Sequence, residues 1–454
     1  MDMLIGVDNY YNIVHPGFIK EGSLVLIPTK CGYALSGSYK GTSNEAQVEI
    51  VTILRVGTDP IQTFIKEEEF IPCTSDLAKL WDLDHIGISP KEVKAENRET
   101  MRSFDDTINF DQEKGQYIVS LPWKANKHLL PNNFGVALGR MRGLQRKFIG
   151  DHGLGEHYQH IIEEQKERGF IEQVESRLDD CHYLPHHGVS KDSLTTPIRV
   201  VFDCSAKKSD KSLSLNDCLH TGPTLVPDLA KVLLRFRCNK YAWVSDIEKA
   251  FLMVKLNEAD RDYTRFLWPR DPYDLTSPFD IYRFTVVLFG ATCSPFLLNA
   301  TILQHLSHSK VDEEVVEEIR RGLYIDNLQG TANGEEELIQ QCWSSLKIFN
   351  QAHLYLREWA TNSIKLRQQL SNDGLAAENQ EVVKTLGLRW NTESDTIRCP
   401  SKSNRVTASE VTKRQCLSIT AQLFDPLGVL LPVTIKSRMF LQNLWRYKVG
   451  FGTN

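Results

Sequence analysis

The sequence has no Cys-x-x-Cys pair, no internal repeat, no low-complexity segment and no excess of positive charge. It also has no run of apolar residues near the roughly 18 to 20 that a membrane helix needs, so no spanning helix is expected. Its 10 cysteines are scattered from Cys31 to Cys416, and with no secretory leader in view they are read as reduced thiols of a cytosolic protein. The formal net charge of -5 argues against a uniformly basic nucleic-acid coat, although it leaves room for a local basic groove. What is present is ordinary for a globular chain, 41% hydrophobic and 24% charged, so any function has to be read from motifs.

Residues 1 to 55 alternate short apolar runs with Gly and Pro punctuation, as in Ser23-Leu24-Val25-Leu26-Ile27-Pro28, which suits small β strands. The chain starts as if in mid-domain, with the apolar run Leu4-Ile5-Gly6-Val7-Asp8, and is expected to be cut off at both ends. That run and the later Thr29-Lys30-Cys31-Gly32-Tyr33-Ala34-Leu35-Ser36-Gly37 resemble the carboxy-terminal half of the retropepsin-like aspartic protease in Pao/BEL polyproteins. No Asp-Thr-Gly or Asp-Ser-Gly occurs, so the catalytic acid of such a protease is missing and no proteolysis is expected. Residues 56 to 136 read as a polar, acidic, solvated connector (Lys66-Glu67-Glu68-Glu69-Phe70) with a hairpin ending near Tyr117 to Trp123.

From Ala137 the pattern turns helical and runs to Gly169, with Arg140, Arg142, Arg146 and Lys147 crowded together and Tyr158, Ile161 and Ile162 at helical spacing. Such a helix either faces a phosphate backbone or is an ordinary exposed amphipathic helix. Strands are expected at Ile198 to Phe202, Ala242 to Asp246 and Ile281 to Leu288, alternating with helices at Pro227 to Arg237 and Ser294 to Ser307. Further helices are expected at Gly334 to Phe349 and Leu417 to Phe424. The histidines His182, His186 and His187 lack Cys or acid partners at zinc-finger spacing and are read as polar residues of a surface loop.

Two segments carry chemistry. In Trp243-Val244-Ser245-Asp246-Ile247-Glu248-Lys249-Ala250-Phe251 an apolar strand delivers an acid at its end, with an aromatic five positions on. In Gly322-Leu323-Tyr324-Ile325-Asp326-Asn327-Leu328-Gln329-Gly330 two short apolar arms flank an Asp-Asn tip, the pattern of a hairpin presenting an acid. Two carboxylates on neighbouring strands can clamp a pair of hard divalent cations about 3.5 to 4 Å apart, the arrangement that nucleotidyl transfer uses at its attacking and leaving oxygens. Each acid alone is weak evidence, since a strand-end Asp is commonly a turn former. Glu248 is a further acid whose direction the pattern leaves open.

Between the two lies Val287-Leu288-Phe289-Gly290-Ala291-Thr292-Cys293-Ser294-Pro295, small residues before a helix start. Lys191 and Arg199 lie upstream, and Leu386-Gly387-Leu388-Arg389-Trp390 forms a tight turn downstream. In this order the segments resemble the reverse transcriptase of Pao/BEL retrotransposons from about Ala137 onward. Tyr183-Leu184-Pro185-His186-His187, Leu356-Arg357-Glu358-Trp359 and Leu423-Phe424-Asp425-Pro426-Leu427-Gly428 match that group as structural marks.

The resemblance implies an α+β right-hand polymerase: fingers and palm over 137 to 392, and a helical thumb or connection segment, truncated, over 393 to 454. It implies that Asp246 and Asp326 bind two Mg²⁺ or Mn²⁺ ions, with Asn327 beside them as the changed second position of a Tyr-x-Asp-Asp box. Lys191 and Arg199 would hold the triphosphate and Phe289 and Gly290 the nucleotide and template, while Phe251 would gate against a ribose 2′-OH. Leu386, Gly387 and Trp390 would grip the primer. Its partners would be an RNA or DNA template-primer, dNTPs and other polyprotein products (protease, ribonuclease H, integrase), working in cytoplasmic virus-like particles without a membrane. No ribonuclease H or integrase sequence is read in the chain. Asn327 keeps an oxygen but loses a charge, so an alternative is a degenerate or host-retained copy that binds nucleic acid without catalysis.

Overall fold

The computed structural model describes residues 19–21, 24–29, 32–37, 90–175, 180–190, 198–309, 311–399, 412–422 and 424–446. Strands β1 (Ile19–Glu21), β2 (Leu24–Thr29) and β3 (Gly32–Gly37) form an antiparallel meander in the segment likened to a retropepsin; three short strands do not by themselves identify that fold. The Leu4 to Asp8 run and the acidic Lys66 to Phe70 run lie outside the described residues.

The connector expectation is corrected from residue 90 onward. Helix α1 (Pro90–Thr107) and the hairpin of β4 (Asn109–Asp111) and β5 (Gln116–Val119) pack Phe104, Tyr117, Val119 and Leu121 into the main core. The join is made by a buried acid: Asp260 accepts the Leu121 backbone N–H at 2.8 Å and the Trp123 Nε1–H at 2.6 Å. Strand β5 also pairs in parallel with β10 (Lys255–Leu256). Acidic composition had suggested a spacer, but alternate residues of β5 are apolar and buried, which is the mark of a packed strand.

The helical stretch expected from Ala137 to Gly169 is two helices, α2 (Phe134–Gly150) and α3 (His152–Glu167). Asp151 breaks the run because its side chain accepts the Leu154 N–H and caps α3. Gly169, at φ +66°, terminates the pair. Met141, Leu144 and Phe148 face inward from α2 while Arg142, Arg146 and Lys147 stay in solvent, so one helix is both core element and basic surface. Next come β6 (Ile171–Val174) and the two-stranded ribbon of β7 (His186–Ser190) and β8 (Ile198–Phe202). Here the surface-loop reading of the histidines fails for two of three. His182 and His186 are buried and His187 is exposed. The His186 Nδ1 is hydrogen-bonded to the Tyr158 hydroxyl and its Nε2 to the Leu267 carbonyl at 3.1 Å.

Helix α4 (Leu229–Phe236), capped by Asp228, leads into β9 (Tyr241–Ile247). Strands β11 (Phe266–Pro269), β12 (Phe279–Phe284) and β6 form a second sheet. The expected strand at Ile281 to Leu288 thus ends early, before helix α5 (Ser294–Ser307), whose Pro295 sits in the first turn as read from sequence. Helix α6 (Glu313–Gly322), β13 (Leu323–Tyr324), β14 (Asn327–Ala332), α7 (Glu335–Asn350), β15 (Leu356–Thr361) and α8 (Ile364–Asn372) follow. They complete a four-stranded antiparallel sheet in the order β13-β14-β9-β15, backed by α6 and α7. The meander of β16 (Val382–Thr385), β17 (Leu388–Asn391) and β18 (Thr396–Arg398) packs on it through a small cluster of Phe236, Ala242, Val244, Ala360 and Trp390. Helices α9 (Lys413–Ala421) and α10 (Leu431–Arg446) close the described chain. Among the described residues no helix is long and apolar enough to cross a membrane.

Candidate active site

The β13-β14-β9-β15 sheet makes the site. Asp246, near the end of β9, pairs across the ladder with Asn327 on one side and Arg357 on the other, so these three side chains sit in one row. The hairpin joining β13 and β14 has two residues at its tip, Ile325 and Asp326. Ile325 adopts φ +58°, a conformation a β-branched residue rarely takes, at the turn that offers the second acid. The turn is tied down: the Asp326 carbonyl accepts the Ile247 N–H at 2.8 Å, and the Asn327 amide donates to the Asp326 carboxylate at 2.9 Å.

Asp246 and Asp326 line one cleft of about 420 Å³, walled by Arg199, Val200, Lys249, Phe289 and Arg357. Burial, reinforced by the Asp326 carboxylate, pushes the Asp246 carboxyl up to about 6, against the opposing pull of Arg357. A divalent cation held at these two carboxylates would relieve the repulsion between them. Among the described residues no group of three or more His, Cys, Asp and Glu side chains is placed to hold a metal, and the residues of this cleft that could contribute to one are the two aspartates. That suits Mg²⁺, which is commonly bound through one or two carboxylates with waters and phosphates filling the remaining positions.

The other expected site residues divide. Arg199 is in place, its guanidinium carbon 4.7 Å from the centroid of the Phe289 ring in the cleft wall. Gly290 holds φ +105°, and a Cβ there would come within 2.5 Å of the Phe202 carbonyl, so only glycine fits. Phe251 is only 8% exposed and is not in the cleft wall; its ring lies edge-on to Phe289 with centroids 4.7 Å apart. Any influence of Phe251 on a bound sugar therefore passes through Phe289. Lys191 lies outside the described residues. Leu386 (φ +47°) and Gly387 (φ +84°) form the turn between β16 and β17, with the Phe424 ring close against Gly387.

Trp390 requires correction, because it is fully buried against Phe236 at 4.9 Å and donates Nε1–H to Asp395 at 2.9 Å. It braces the turn from behind and cannot itself touch a primer. Glu248 turns away from the cleft to an ion pair with Arg168 at 2.9 Å. Two cleft residues were not singled out from sequence: Arg357, 3.4 Å from the Asp246 carboxylate, and Lys249, held by Glu164. Arg357 lies in the Leu356-Arg357-Glu358-Trp359 segment read as a structural mark, but only cross-strand register brings it to the acid.

Known proteins can now be set beside this geometry. The family model described as reverse transcriptase (RNA-dependent DNA polymerase) matches residues 198–386, which contain both acids and the cleft. A second, described as Pao retrotransposon-like RNaseH-like domain, matches residues 412–454, so sequence related to that domain does occur here, contrary to expectation. A comparison with curated proteins gives no match. Among solved structures, the foamy viral protease-reverse transcriptase dRH in complex with ds DNA is 16% identical, with a TM-score of 0.40 over 59% of this chain and 39% of that one. A foamy viral protease-reverse transcriptase in complex with dsDNA is 17% identical, with a TM-score of 0.40 over 59% of this chain and 47% of its own. This chain thus spans less than half the length of either. Residues 198–386 are thus similar to the reverse transcriptase family, and residues 412–454 to the Pao retrotransposon-like RNaseH-like domain.

Proposed function

We propose that this chain is the polymerase core of a Pao/BEL-type retrotransposon polyprotein and adds dNTPs to a primer 3′-OH on an RNA template. The observation that carries the reading is the convergence of Asp246 from β9 and Asp326 from the β13–β14 turn on one cleft, inside the segment that matches the reverse transcriptase family. A pair of Mg²⁺ or Mn²⁺ ions held by Asp246 and Asp326 would neutralise charge on the transferred phosphoryl group and the attacking oxygen. The chain's own residues do the positioning. Arg199, kept in orientation by the face of Phe289, binds the triphosphate through charge-assisted hydrogen bonds. Gly290 allows close approach of the nucleotide, and Phe289, backed by Phe251, forms the apolar wall that disfavours a 2′-OH. The Leu386–Gly387 turn meets the primer end, and Arg142, Arg146 and Lys147 on α2 offer a basic surface to the template backbone. Other polyprotein products would be its partners, and cytoplasmic virus-like particles its location.

A second reading, a degenerate copy, is favoured by one observation. Asn327 stands in the row beside Asp246 where a further acid would add charge for a metal. The deciding experiment is dNTP incorporation on poly(rA)/oligo(dT) with Mg²⁺ or Mn²⁺, comparing the chain with Asp246→Asn and Asn327→Asp. Metal-dependent synthesis lost in Asp246→Asn supports the polymerase. Synthesis appearing only in Asn327→Asp supports the disabled copy.

A further inference from the structure

Arg357 sits in the catalytic row without a part in the chemistry above. Strand β15 pairs with β9 so that Arg357 faces Asp246, and the register slips immediately afterwards, between Arg357 and Ala360. Glu358 takes φ +52° at this bulge, while Leu356 and Trp359 are buried on either side and the Trp359 indole donates to the Leu356 carbonyl at 3.2 Å. The bulge follows Arg357, which keeps its regular place opposite Asp246 while the buried Leu356 and Trp359 anchor the strand on either side.

That side chain is loosely engaged. Its guanidinium is 3.4 Å from the Asp246 carboxylate, a long contact for an ion pair, and the side chain is 46% exposed. The other cations of the cleft are more committed: Lys249 is held by Glu164, and Arg199 lies over Phe289.

Arg357 and Asp246 also line a second cleft of about 540 Å³, bounded by residues 374–379 and by β16, which leads to the Leu386–Gly387 turn. Glu358 and Glu378 stand in this second cleft with Lys384, so an anionic chain crossing it is repelled from those carboxylates toward Arg357 and Lys384. Asn327 lines it as well, and as a neutral residue it does not compete for the guanidinium as an aspartate would.

We propose that Arg357 binds a backbone phosphate of the primer strand near its 3′ end, exchanging Asp246 for the phosphate and so freeing that carboxylate. The inference rests on the polymerase reading and names the strand that fills the second cleft. A guanidinium matches a phosphodiester bidentately, which a 3.4 Å contact to one carboxylate oxygen does not achieve. A free nucleotide in the first cleft would meet Arg199, whereas only a strand continuing past the acids toward the β16–β17 turn traverses both clefts at Arg357.

The test is a binding cycle that needs no synthesis. Fluorescence anisotropy would measure a labelled primer-template with a neutral methylphosphonate placed in turn at each of the three linkages nearest the primer 3′ end, against the whole chain, Arg357→Gln and Arg357→Lys. The expected result is a loss of roughly fivefold to tenfold at one linkage for the native chain. Arg357→Gln should show a similar loss with unmodified DNA and no further loss on modification, and Arg357→Lys should fall between. An equal methylphosphonate penalty in the native chain and Arg357→Gln, or unchanged affinity of Arg357→Gln for unmodified DNA, overturns the inference. So does a raised KM for dNTP in Arg357→Gln with primer affinity unchanged, which would assign the phosphate to the nucleotide. If the cycle holds but the native chain incorporates no dNTP with either metal, the polymerase reading falls and the phosphate contact stands; absence of any binding overturns both.

Discussion

Phe289 is the residue on which the cleft turns, touching Arg199 on one face and Phe251 on an edge. A cation over an aromatic face at a partly exposed site is worth about 0.5 to 1 kcal/mol, so Phe289→Leu should raise the KM for dNTP by roughly twofold to fivefold while kcat changes little, as steady-state kinetics would show. Because Phe251 reaches the cleft only through Phe289, the two should be coupled. Phe251→Val and Phe289→Leu should each relax discrimination against rNTPs, and the double variant should do so by less than the product of the two effects; a full product would mean independent contacts. The two acids were legible in the sequence because a strand-end Asp and a hairpin-tip Asp need only local periodicity and turn chemistry to be placed. The Phe251–Phe289 contact and the Asp246–Arg357 row were not, since both depend on tertiary register.

The element most at risk of misreading is the stretch before residue 137, where the hairpin expected near Tyr117 is present but acidic composition masks the helix before it and the packing of both into the core. Asp260 is the fastener, accepting two hydrogen bonds from the Leu121 to Trp123 segment while buried. Asp260→Ala should leave those donors unpaired and cost roughly 2 to 4 kcal/mol in urea denaturation, since buried donors left without acceptors lose about 1 to 3 kcal/mol each and losses in one network are not additive. A change below 0.5 kcal/mol would show that α1 and its hairpin are held mainly by apolar packing. The β16–β17 turn offers a second test. Gly387 holds φ +84°, and a Cβ there would lie 2.7 Å from the Phe424 ring, so Gly387→Ala should destabilise by about 1 to 3 kcal/mol and weaken primer use more than dNTP use. The turn itself was readable from Leu386-Gly387, whereas Trp390 was misassigned because an aromatic near a turn carries no sign of which side it faces.

At the scale of the whole molecule, stability should depend on pH through its buried imidazoles. Burial lowers His186 to about 4, and His182 and His305 are lowered in the same direction. An unfolded histidine titrates near 6.5, so below that pH the unfolded chain takes up a proton that native His186 refuses until about pH 4. The stability is complete above about 6.5 and is lost as pH falls toward 4, on the order of 3 kcal/mol from His186. Asp246, raised to about 6, acts in the opposite sense and adds stability as pH falls below 6. Urea midpoints of Asp246→Asn measured from pH 7.5 to 4.5 should therefore fall more steeply than those of the native chain; a flat profile in Asp246→Asn would show that the imidazole is not excluded from water as its burial implies. Template-primer binding should weaken steeply with salt despite the net charge of -5, because the exposed Arg142, Arg146 and Lys147 act locally.

The sequence alone determined which residues form the β9 strand, the β13–β14 hairpin and the α5 helix start, and which two acids they carry, because periodicity, caps and turn residues act over a few positions. Tertiary structure alone decided that Arg357 stands beside Asp246, that Phe251 packs against Phe289, and that His186 and Trp390 are interior. Those facts follow from strand order and burial, and a strand's neighbour in a sheet is set by packing across the whole chain, not by the residues next to it in sequence.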